Sequence, residues 1–240
     1  DEEPTLSDDI SVRACIGGSG IDPAYDYSRL GETWSTPKIV RMPSSSGSTN
    51  IGSDRYVAIM GAGMSKGDAC AGSALFVIDL EGHMDGMPGR IYGSEINGGP
   101  INIVDTTPNG ILSGDVLVET NNGSNIPNAI PAAPVIITPD TAPGVPWRGA
   151  LVYVNDLEGK ITKINLTNNT KGLYDDGRLV SGITELYDQT TLFRLNATRE
   201  NSRYSFFSME AGLGVTDKSF WLFGSTGNFI DLGGKDSELD

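Results

Sequence analysis

The sequence predicts an all-β protein built as a β-propeller, or as a large part of one, and three observations carry that prediction. Thirty-one glycines and 13 prolines in 240 residues divide the chain into short pieces, which suits strands and turns better than long helices. Its apolar runs are short and either continuous or alternating, the patterns of fully buried and half-buried strands. The same order of segments then returns along the chain, as in a repeat architecture.

The first copy opens with GETWSTPKIV (31–40), continues with RYVAIMGAG (55–63) and ends with SALFVIDLEG (73–82). In the second, IPAAPVII (130–137) leads to ALVYVNDLEG (150–159) and KITKINL (160–166). A degraded third copy holds FSMEAGLGV (207–215) and SFWLFGSTGN (219–228). Each copy runs from a lead-in strand to a buried strand ending in glycine, and in the first two an amphipathic strand follows. Pro37 and Pro134 cannot donate to a ladder, so they belong at strand starts or sheet edges. YVAIM and FWLFG are nearly continuous apolar runs, expected where both faces are covered, whereas LFVIDL and ITKINL alternate and are expected to keep one wet face.

Between the copies, GPINIVD and GILSGDVLVETN supply strands for another, irregular blade. At roughly 40–50 residues per blade the chain holds about three to four blades, too few to close a ring. An open β edge and an exposed core face follow, and further chain is expected to belong to the propeller. The organisation read from the sequence is an N-terminal arm over 1–29, partial propeller blades over 30–231 and an acidic tail over 232–240. The opening DEEPTLSDDI, without Met, points to a mature or processed piece. No apolar run approaches the roughly 20 residues of a membrane span.

A net charge of -14 and a pI near 4.4 argue against nucleic acid or an anionic membrane as the main partner, because Lys and Arg are too few to neutralise phosphates. Catalytic signals are sparse. Asp156, Glu158 and Gly159 form the turn of a hairpin, where Asp accepts backbone N–H groups and Gly takes positive φ. Asp79, Glu81 and Gly82 are expected to occupy the same place in the earlier copy, and the recurrence reads as architecture rather than a paired-carboxylate site. His83 is the single histidine, so neither a Ser-His-Asp triad nor a multi-histidine metal site is expected. DLEGHMDG lacks the ligand spacing of a calcium loop, and GAGMSKG lacks that of a phosphate loop. Trp34 and Trp221 fall in strand patterns and are expected in the core, which leaves Trp147 as the surface aromatic. Asn122, Asn165, Asn168 and Asn196 stand in glycosylation sequons, which have weight only in a eukaryotic secreted chain.

Together, LGETWSTPKIVRM, RYVAIMGAG, SALFVIDLEG, ALVYVNDLEGKITKINL and SFWLFGSTGNF resemble successive blade strands of the C-terminal propeller in the PilY1/PilC family, the large proteins at the tip of bacterial type IV pili. The resemblance covers about 30–231. It implies a non-enzymatic, exported cell-surface adhesin and pilus biogenesis factor. Its propeller would dock on minor pilins or the tip complex, and a region upstream of this chain would bind a host or surface ligand. Members often carry an Asp-rich calcium loop before the strand matching LVYVND. Here TPDTAPGVPWRGALVYVND keeps Asp140 but offers prolines, Trp147 and Arg148, so calcium is not carried over and no cofactor is expected.

In an exported protein the even cysteine count favours a disulfide between Cys15 and Cys70, pinning the arm to the first blade. Closing that loop would contribute on the order of 4 kcal/mol. Unpaired thiols, or a bond to upstream chain, are the alternatives. Two rival functions stand beside the pilus reading. Quinoprotein dehydrogenases build propellers from similar strands, although the late blade tryptophan and adjacent cysteines common in them are not found in this sequence. A generic secreted propeller binding protein or glycan is the other.

Overall fold

The computed structural model describes residues 21–42, 54–64, 72, 74–82, 87–92, 99–102, 129–138, 149–157, 159–167, 188–195, 197, 203–217 and 219–227. Apart from one short 3-10 turn at Pro23–Tyr25, the regular structure in them is antiparallel strand. The first sheet is ordered β1 (Lys38–Met42), β2 (Arg55–Gly61), β3 (Ala74–Asp79) and β4 (Ile91–Tyr92), with β5 (Ile101–Asn102) also on β3. Because β4 pairs with Val77 and Ile78 while β5 pairs with Ala74 and Leu75, the two lie end to end along one edge as an interrupted fourth strand. The GPINIVD segment thus adds to the first sheet through β5 and does not start a separate blade; 103–128 lies outside the described residues.

A second sheet repeats the meander as β6 (Val135–Ile137), β7 (Gly149–Asn155), β8 (Ile161–Thr167) and β9 (Asp188–Phe193). Pro37 and Pro134 each immediately precede an edge strand, β1 and β6, where a missing N–H leaves no gap in a central ladder. The third copy survives as a hairpin of β10 (Glu210–Leu213) and β11 (Phe220–Phe223). No closed ring is seen among the described residues.

Directly opposed side chains share a face, and that rule sorts the two full sheets. Val57, Ile59, Leu75, Val77, Tyr92 and Ile101 from the first pack against Ala150, Val152, Val154, Ile164 and Leu166 from the second in one continuous core. Each fully buried aliphatic side chain there contributes about 1.5–3 kcal/mol. The second sheet's far face carries Tyr153, whose ring lies 5.3 Å from that of Phe220 on β11. The sheets therefore stack in chain order.

The first sheet's far face holds Ala74, Phe76 and Ile91, and it is covered by the arm: Tyr27 stacks on Phe76 with centroids 5.7 Å apart and planes 3° from parallel. This corrects the expectation of a wet face on LFVIDL, since Phe76 and Leu75 are both fully buried. ITKINL does alternate, with Thr162, Ile164 and Leu166 buried between half-buried neighbours. YVAIM is buried apart from exposed Tyr56 and half-buried Met60. FWLFG departs most: Phe220, Trp221 and Phe223 are all exposed; Trp221 and Phe223 lie on the hairpin's outer face, which no sheet covers among the described residues, while Phe220 meets Tyr153 and stays partly open.

Backbone hydrogen bonds join the units in a repeated way. The N–H of Gly63, just past β2, donates to the carbonyl of Ile130 ahead of β6 at 2.8 Å. Just past β7, the carbonyl of Leu157 accepts the N–H of Ser205 ahead of β10 at 3.1 Å. Asn155 strengthens the second join through its Nδ2, which donates to Ser205 Oγ at 2.8 Å and to the Phe207 carbonyl at 3.0 Å.

Candidate functional site

Two acidic turns each bury an aspartate. At the first, Asp79 Oδ1 accepts the N–H groups of Glu81 at 2.8 Å and Gly82 at 3.2 Å, and Gly82 has φ +67°. Asp79 Oδ2 accepts the Tyr92 hydroxyl at 2.8 Å. Burial above all, and then the hydrogen bond and charge of Asp79, hold the Tyr92 hydroxyl well above its ordinary pKa, with Arg90 and Arg55 opposing. Tyr92 is consequently a neutral donor. Glu81 turns outward, accepting the Tyr56 N–H at 2.9 Å and approaching Arg55 Nη1 at 3.8 Å.

At the second turn Asp156 Oδ1 accepts the Lys160 N–H at 2.9 Å and Gly159 has φ +73°. The Lys160 ammonium also folds in, placing Nζ 3.5 Å from Asp156 Oδ2, with both side chains at most 1% exposed. Both turns thus act as the sequence predicts, by Asp capping and glycine φ. Their positions are not equivalent, however. The first follows β3, the third strand of its sheet, and the second follows β7, the second strand. This corrects the expectation that Asp79, Glu81 and Gly82 occupy the same place as their counterparts around Asp156, because strand pairing and not the Asp-Leu-Glu-Gly word sets the alignment. Glu158 lies outside the described residues.

The other distinctive region is the open end. Trp221 is 52% exposed and Phe223 60% exposed. Beside them a groove of about 540 Å³ opens between the second sheet and the hairpin, walled by Ile161, Leu192, Phe193, Leu195, Met209 and Leu222. It is apolar and shallow, with no ionised side chain in its lining. An exposed apolar surface of this kind suits packing against another surface.

Two expected core tryptophans are therefore on the surface. Trp34, 61% exposed, is turned outward because its neighbours face in: Thr33 Oγ1 donates to the Gly61 carbonyl at 3.1 Å and Ser35 Oγ accepts the Gly61 N–H at 2.9 Å. Trp221 lies on the uncovered face of the hairpin. Asn165 is half-buried within β8. Cys15, Cys70, His83, Asp140, Trp147, Arg148, Asn122, Asn168 and Asn196 fall outside the described residues. Among the described residues no group of three or more His, Cys, Asp or Glu side chains could hold a metal ion, and no helix is long and apolar enough to cross a membrane. The sequence reading missed the buried Lys160; its signal was a lysine four residues after an Asp, directly after the turn glycine.

No protein family, curated protein or solved structure matches the chain.

Proposed function

We propose that the chain is a non-enzymatic assembly module, a partial β-propeller of the PilY1/PilC kind that docks on minor pilins at a type IV pilus tip on the cell surface. The observation that carries this reading is the stack itself: successive antiparallel sheets, each linked to the next by a backbone hydrogen bond from just past its second strand, and an aromatic face left uncovered among the described residues. Stacked meanders of this kind are the units from which propellers are made. The chemistry agrees, since Asp79 and Asp156 cap turns and the groove lining carries no ionised side chain.

Because apolar contact is insensitive to ionic strength, docking is expected to survive high salt. The test is retention of purified minor pilins on the immobilised chain at low and high salt. Retention at both supports the proposal. It is overturned if no pilin is retained, if binding disappears at high salt, or if the chain takes up pyrroloquinoline quinone with calcium and reduces a dye when given alcohol.

A further inference from the structure

We draw no further inference here: the strongest candidate, the buried guanidinium edge of Arg55 at the start of β2, whose Nε and Nη2 have no hydrogen-bond partner, carries nothing because nothing in the structure shows what covers it.

Discussion

The two Asp-Leu-Glu-Gly turns share a sequence and a capping geometry yet hold their charge in different ways. Asp79 is neutralised by donors that carry no charge: two backbone N–H groups and the Tyr92 hydroxyl. Asp156 faces a lysine ammonium with both partners out of water. A tight turn needs only the Asp oxygen and the glycine φ, so the word can recur wherever a strand must reverse. What neutralises the remaining carboxylate oxygen is decided by the element that packs behind it.

Breaking the ion pair tests this contrast most severely. Lys160→Met leaves the Asp156 carboxylate buried without its cation and is expected to destabilise the chain by about 3–5 kcal/mol. Combining it with Asp156→Asn, which keeps an acceptor for the residue 160 N–H, is expected to restore most of that loss, so urea midpoints of the singles and the double should be far from additive. Additive losses would show that the pair is not the unit.

A smaller effect is expected at the neutral turn. Tyr92→Phe removes one donor from a carboxylate that keeps two others, for a cost of about 1–3 kcal/mol. It also carries a pH signature. The folded protein holds the Tyr92 hydroxyl above its unfolded pKa, so its contribution is fully present below about pH 10 and is lost as pH rises from there toward the folded value. Denaturant titrations above pH 10 should therefore show a shallower decline for Tyr92→Phe than for the parent. The slope shrinks without vanishing, because burial also raises the Tyr27 and Tyr153 pKa values.

The least effect is expected outside both carboxylates. Glu81→Gln weakens a partly exposed contact to Arg55 but keeps an acceptor for the Tyr56 N–H, and its urea midpoint should correspond to a change within about 1 kcal/mol. A larger loss would mean that the outward face of the first turn carries charge as strictly as the buried one.

Much of the local architecture was legible in the sequence. The stretch 150–166 reads as two strands about an acidic turn, and β7 and β8 pair in continuous register around it. Period-two alternation and the glycine position suffice for that, since both act between near neighbours. The misreadings were all non-local. LFVIDL lost its wet face because Tyr27, far along the chain, lies on Phe76. Trp221 stayed exposed because nothing among the described residues covers its side of the hairpin, and no property of FWLFG reports that. Equating the two acidic turns failed because a recurring word says nothing about which strand it follows.

The joins between sheets bear on how the protein reaches this structure. Two ladders close across short connections, β7–β8 over 156–160 and β10–β11 over 214–219, and such hairpins form in microseconds. The bonds from Gly63 to Ile130 and from Ser205 to Leu157 instead connect residues distant in the chain. Loop-closure entropy opposes them until the shared core is in place. These two hairpins are thus expected to appear early, and the docking of the sheets to set the folding rate. A substitution at Asn155, whose side chain ties Ser205 and Phe207 into the second join, would act on that rate-setting step and is expected to slow folding.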